Sequence, residues 1–291
     1  MKKIFLGYDC LQCFVSQVDV VLRLTDIPEK NKMTIYLDSL KFLSEIKNWD
    51  YSAPEIARQL YEFLYEKINC NNPFKEIKEA TNELAEKVLS EILQTHTELT
   101  LQDYVKFAVA GNIIDFGVKD NNENLNIENI VEAIDNFSFE VNDFKQFYTQ
   151  LKSAKTILYL LDNSGEAIFD RALIKKITDM FPDLIVSIAA RNQNIINDIS
   201  VADAYELGFG KLGNLISTGY NGPGIFLDKV SKEFLDIYNC ADIVISKGQG
   251  NFESLYGENK NIFFALKIKC AHVSKLTGFK LNSNLFIQGK K

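Results

Sequence analysis

The sequence predicts an α/β protein: a helical N-terminal part followed by a three-layer α/β/α core with a largely parallel sheet. Three observations lead there. From Cys10 to about Lys152, apolar residues recur at three- and four-residue spacing almost throughout, which is the period of an amphipathic helix. After Lys152 the rhythm changes to short apolar runs alternating with helical stretches, the signature of a mostly parallel sheet. The stretch TILYLLDNSGEAIFD, Thr156 to Asp170, shows the unit in one piece, since a β-branched and aromatic run stops abruptly in a polar turn and a helical pattern begins directly afterwards.

Taken in order, the first part reads as helices over 12–24, 32–46, 54–68, 74–93, 101–114, 127–134 and 141–151. Ser52-Ala53-Pro54 and Asn72-Pro73 mark two of the starts, because proline fits a first helical turn. Polar loops are expected at 119–124 and 136–142. The second part reads as strands over 157–161, 184–189, 214–217, 243–246, 262–265 and 285–288. Helices lie between them, most clearly over 167–180 and 225–239, the latter from Phe226, Val230, Phe234 and Ile237. Residues 1–152 are thus expected as a helical subdomain and 153–291 as the catalytic core.

Composition narrows the function classes. With 46% hydrophobic and 24% charged residues, the chain has the balance of a folded globular protein rather than a disordered one. A net charge of −7 without any basic cluster argues against a nucleic-acid-coating role. No apolar run reaches the roughly 20 residues of a membrane span, and Asp9 interrupts the short apolar start, so neither a membrane partner nor secretion is expected. Five cysteines, an odd number, do not make a disulfide framework and point to the cytoplasm.

The informative residues follow the strands. Asp162 and Asn163 come after the first; Arg191, Asn192, Asn197 and Asp198 after the second; Thr218 and Gly219 after the third. Lys247, Gly248, Gln249, Gly250 and Asn251 follow the fourth, and Lys267 and Lys269 the fifth. Parallel strands would bring all of these to one edge of the sheet, where ligands of open α/β folds bind. The edge would then carry hard oxygens for a cation, lysines for an anion and glycines for close backbone approach. Each element also has a plain structural use: Asp162-Asn163 suits a helix cap, the glycine pair an ordinary loop without Walker spacing, and Lys269 a solvated surface position. Together they fit phosphoryl transfer to water, in which a divalent cation polarises the phosphate and a lysine meets charge on its oxygens. The only histidines, His96 and His272, lie in no triad setting. Cys10-Leu11-Gln12-Cys13 has zinc-knuckle spacing, and Cys270 with His272 would complete four ligands if the chain ends meet; otherwise these thiols serve as small hydrophobes. No second such pair exists, and hydrolysis is expected not to need Cys10 or Cys13.

The blocks DNSGE at 162–166 with Asp170, IIND at 195–198, KGQGNFESL at 247–255 and KIKC at 267–270 resemble the damage-control phosphatases, long catalogued as domain of unknown function 89. CLQC at 10–13 and GNIIDFG at 111–117 look like the shorter, prokaryotic-type branch. The resemblance covers nearly the whole chain. It implies a metal-dependent phosphatase acting on small phosphorylated or damaged metabolites, with a Mn, Mg, Co or Ni ion held by Asp162, Asn163 and Asp198. It maps the lysine that meets the phosphate onto Lys269. Glu166, Asn197, Lys247, Gly248, Gly250 and Asn251 are expected around the substrate. One departure stands out: Tyr220-Asn221-Gly222-Pro223-Gly224 replaces an expected serine-aspartate pair before alanine-proline-glycine, which bears on substrate choice more than on the metal. The rival readings are an S-adenosylmethionine-dependent carboxyl methyltransferase and a metal-dependent binding protein without turnover. Against the first, DNSGE offers one glycine and two carboxylates where a cofactor carboxylate would have to sit.

Overall fold

The computed structural model describes residues 4–47, 50–114 and 126–289. Its helices and strands, in chain order, are α1 (Asp9–Arg23), α2 (Glu29–Ser44), α3 (Ala53–Ile68), α4 (Lys75–Thr95), α5 (Leu101–Ala110), α6 (Ile127–Asp135), β1 (Val141–Asn142), α7 (Phe144–Leu151), β2 (Thr156–Leu160) and α8 (Glu166–Met180). There follow β3 (Ile185–Ala190), α9 (Val201–Glu206), β4 (Asn214–Ser217), α10 (Lys232–Cys240), β5 (Ile243–Lys247), α11 (Gln249–Leu255), β6 (Ile262–Lys267), α12 (Ala271–Thr277) and β7 (Asn284–Gln288). The predicted loop at 119–124 and the Asp115–Gly117 end of GNIIDFG lie outside the described residues.

The strands form one seven-stranded sheet in the order β1-β7-β6-β5-β2-β3-β4. All its neighbours are parallel except β6 and β7. Alternation along each strand buries both faces. Tyr159, Ile188, Ile245 and Phe263 pack under α5, α7 and α8, while Leu158, Ala189, Val244 and Phe264 pack under α10, α11 and α12. A separate core of Phe14, Val18, Leu60, Leu64 and Phe74 holds α1, α3 and the start of α4 together, and it reaches the sheet's loops through Ile195. The Ser52 start of α3 is confirmed as a capping box with Glu55 and proline in the first turn. No helix among the described residues is long and apolar enough to cross a membrane.

Two predicted helices are corrected. Residues 141–151 do not start helically: Val141 and Asn142 pair with Leu285 and Phe286 of β7, and the Asn142 side chain accepts from the Phe144 N–H to open α7. Residues 225–231 are irregular, and α10 begins only after Ser231, whose hydroxyl accepts from the Phe234 N–H. Ile225 is apolar because it is buried in the core on the sheet and Phe226 because its ring packs edge-on against Tyr220, not because they line a helix face. The short helices α9, α11 and α12 escape a periodicity argument because six or seven residues span barely two turns.

Candidate active site

The sheet order reverses at β2. The chain runs from β2 outward to β3 and β4, then returns to the other side of β2 for β5 and β6. The carboxyl ends of β2 and β5 therefore flank the crevice where open α/β sheets bind ligands. Asp162 leaves the end of β2 at this point, and Gly248 leaves β5 beside it. The contact is so close that a side chain at Gly248 would lie 1.8 Å from Asp162 Oδ2, and Gly248 also holds a φ of +75°. Only glycine satisfies both demands.

Asp198 is brought in by backbone pairing. Asn163 and Asp198 form an antiparallel bridge, the Ile199 N–H donates to the Asp162 carbonyl at 2.7 Å, and the Ser164 N–H donates to the Asn197 carbonyl at 2.9 Å. The turn that makes this possible has Ile196 at a φ of 48°, and its N–H is held by the Tyr65 hydroxyl of α3 at 3.0 Å. The two aspartates are bound from behind by one cation. Arg191 is 1% exposed; its Nε donates to Asp198 Oδ2 at 2.7 Å, its Nη2 to Asp162 Oδ1 at 3.2 Å and to Asn251 Oδ1 at 2.9 Å, and its Nη1 to the Gly224 carbonyl at 2.9 Å. Burial and the neighbouring Asp198 carboxylate push Asp162 well above the usual carboxylate range, with Arg191 and Lys269 pulling it down. Two carboxylates crowded together in this way, with a carboxamide adjoining, are a hard-oxygen set that suits a divalent cation. Asn163 Nδ2 donates to Asp162 Oδ2 at 3.0 Å, which leaves its carbonyl oxygen as the third donor.

The centre opens on a cavity of about 430 Å³. Asp162, Asn163, Asn197, Asp198, Gly250 and Lys269 form one wall, while Phe14 of α1, Tyr61 of α3, and Phe74 contribute an apolar one. Cys10, Cys13, Cys270 and His272 also line it, so the chain ends do meet as the zinc reading requires. Among the described residues no group of three or more His, Cys, Asp or Glu side chains is placed to hold an ion. His272 Nε2 lies 2.7 Å from the Phe5 carbonyl, and a side chain at Gly7 would meet Nδ1 at 2.4 Å, so both ring nitrogens face the chain start. Cys13 accepts from the Gln17 amide, and burial pushes the Cys10 thiol up to about 11.

The damage-control phosphatase ARMT1-like domain matches residues 7–285. The chain belongs to the damage-control phosphatase family. It is 37% identical over 270 residues to damage-control phosphatase PH1575 of Pyrococcus horikoshii, covering 92% of each chain, and 27% identical over 281 residues to a damage-control phosphatase of Archaeoglobus fulgidus, covering 92% and 94%. The crystal structure of the DUF89 family protein PH1575 superposes with a TM-score of 0.90 at 31% identity, over 98% of this chain and 99% of that one. The α/β architecture is thus shared along with the phosphatase family.

Several residues expected at the substrate lie outside the cavity lining. Lys247 is fully buried. Its ammonium donates to Asp170 Oδ1 at 2.7 Å, the Ala108 carbonyl at 2.8 Å and Glu166 Oε2 at 3.2 Å, which leaves it no reach to a phosphate. Burial disfavours that charge, but Asp170 and Glu166 outweigh it and hold the Lys247 pKa above the usual range. Glu166 receives Lys247, the Asn112 amide and the Asn163 amide. It therefore orients the Asn163 carboxamide, and it lies outside the cavity lining. Asn251 is likewise spent, donating to the Leu161 and Lys247 carbonyls while accepting from Arg191. The Gly248 N–H donates to the Ala265 carbonyl, so its amide belongs to the sheet. Of the expected substrate group, Asn197, Gly250 and Lys269 remain on the cavity wall. Sequence reading placed Arg191 at the right edge without seeing that it would bind both aspartates, and it set Gln249 on that edge without assigning a site role to it or to Glu253. The spacing of the last two within KGQGNFESL is the signal that could have found them, because four residues set them on one helix face.

Proposed function

We propose that this protein is a divalent-cation-dependent phosphomonoesterase acting on small phosphorylated metabolites, with Asp162, Asn163 and Asp198 as the residues that would hold a Mn, Mg, Co or Ni ion. The observation that carries the reading is the convergence of these three oxygen donors, backed by Arg191, on a cavity whose wall also presents Lys269. The bound cation would supply electrostatic activation of the phosphoryl oxygens and of water. The chain's own residues set the charge. Arg191, ion-paired to both Asp162 and Asp198, cancels the charge of one aspartate. With a divalent ion the centre is then net +1 by count, and Lys269 brings it to +2, a match for a phosphomonoester dianion. Lys269 lines the same cavity as Asp162 and, after Arg191, is a further cation that pulls the Asp162 pKa down. Its backbone N–H donates to Gln249 Oε1 at 2.8 Å, which ties the segment after β6 to α11. The apolar wall excludes water around the phosphoryl group and strengthens each of these interactions. Free cysteines at all five positions accord with a cytoplasmic setting.

Lys269→Ala is expected to lower turnover about 100-fold, the typical order for losing one charged transition-state stabiliser, while cation binding stays near normal. Steady-state phosphate release from p-nitrophenyl phosphate, with a calorimetric metal titration of the same sample, reads both effects. Turnover close to wild type in the folded variant would remove Lys269 from the anion site. A parallel titration with S-adenosylmethionine tests the rival chemistry, for which no binding is expected.

A further inference from the structure

Glu253 is one helical turn beyond Gln249 on α11 and lines the same cavity as Asp162 and Lys269. Its carboxylate accepts from Gln249 Nε2 at 2.7 Å, and Gln249 Oε1 accepts in turn from the Lys269 N–H. Gly248, which caps this helix, packs against the Asp162 carboxylate. Glu253 therefore stands roughly 7.5 Å along the helix axis from the metal-facing end, at about 1.5 Å per residue. A phosphomonoester with its phosphoryl group at Asp162 and Lys269 has its carbon body in the same cavity, which Glu253 also lines.

We propose that Glu253 is the general acid of the reaction, protonating the ester oxygen as it leaves. This rests on the reading of the site as a phosphomonoesterase. In the step, the bond between phosphorus and the ester oxygen breaks, and its electron pair goes to that oxygen, which takes the Glu253 proton and departs as an alcohol. Water supplies the replacing oxygen to phosphorus, and a proton from that water restores the Glu253 carboxyl, so the sum is ester plus water giving alcohol plus phosphate.

The other ionisable groups on the cavity wall are poorly suited to this role. Asp162 and Asp198 are held by Arg191 and are the carboxylates assigned to the cation, and Asp9, also on the cavity lining, is exposed. Cys10 and Cys13 of α1 face Glu253 and are raised by burial, Cys10 to about 11. Cys270 adjoins these two thiols, Tyr61 is driven well above the usual phenol range by burial, and His272 is held on the Phe5 carbonyl. Lys269 serves the anion. Burial pushes Glu253 up to about 7, against the opposing pull of Gln249, so it carries a transferable proton near neutrality. The sign follows: the protonated form is the active one, and general-acid help is lost as pH rises through about 7.

The test uses leaving groups. p-Nitrophenolate departs without protonation, whereas the alkoxides of glycerol 2-phosphate, glucose 6-phosphate and adenosine monophosphate do not. Glu253→Gln preserves the size of the side chain and a hydrogen bond to Gln249. It is expected to lower turnover on the alkyl esters about 100-fold, at the low end for general acid catalysis, and to change p-nitrophenyl phosphate turnover less than about threefold. The loss of alkyl-ester turnover above pH 7 should disappear in the variant, and Glu253→Asp should recover part of the alkyl activity. An equal loss on both ester classes, no loss on either, or a wild type that cleaves the aryl ester but no alkyl ester would each overturn the assignment. A wild type inert on every ester with cation present would instead overturn the phosphatase reading itself.

Discussion

Asp162→Ala is expected to bring phosphate release below detection and to abolish the heat of divalent-cation binding in the same sample. The variant removes one of two carboxylates, and it strips Arg191 Nη2 of a partner while Asp198 keeps Nε. What remains is a carboxylate already neutralised by a guanidinium beside a carboxamide, which has little attraction for a dication. A readout independent of activity is available. Saturating cation at 100 times its dissociation constant should stabilise the wild type by about 2.7 kcal/mol, and the same concentration should leave the melting temperature of Asp162→Ala unchanged. Cation-dependent stabilisation equal to the wild type would show that the ion is held elsewhere.

Lys247→Met is expected to destabilise the fold by about 3–5 kcal/mol, the usual cost of removing one partner from a buried ion pair. Methionine matches the length of the stem but leaves Glu166 and Asp170 without their cation. Burial already pushes Asp170 up to about 6 even with Lys247 pulling it down, so without Lys247 the carboxyl should rise further. Tyr159, whose hydroxyl donates to Asp170 Oδ1 at 2.8 Å, and Asn112 hold the remainder of the cluster. Urea unfolding followed by fluorescence measures the loss, and Lys247→Met combined with Asp170→Asn should be less unstable than Lys247→Met alone. A change under about 1 kcal/mol would mean that the buried ammonium contributes little net energy.

The layering of the fold was legible because it rests on local periods. Runs such as Ile157–Leu160 and Ile243–Ser246 alternate across a sheet, and the long helices α1 to α5 repeat at helical spacing. The convergence of Asp162, Asn163 and Asp198 on one cavity was legible for a related reason, since parallel strands bring their carboxyl ends to one edge whatever the loops do. Depth was not legible. Lys247 and Lys269 look alike in sequence, yet one ends β5 and is buried under α5 and α8 while the other lies two residues beyond the end of β6 and reaches the cavity. The difference arises from which helices cover each strand end, and that is a matter of tertiary packing. Val141–Asn142 was misread for a similar reason, because its pairing partner in β7 lies more than 140 residues away.

The central claim is that hydrolysis depends on a cation held by Asp162, Asn163 and Asp198. It is tested most directly by measuring phosphate release from p-nitrophenyl phosphate by the wild type after exhaustive chelation, then during stepwise addition of Mn, Mg, Co or Ni ions. Activity should be absent in the chelated protein and return along the same binding curve that calorimetry gives for the ion, with neither signal present in Asp198→Ala. Undiminished phosphate release from the chelated wild type would contradict the account.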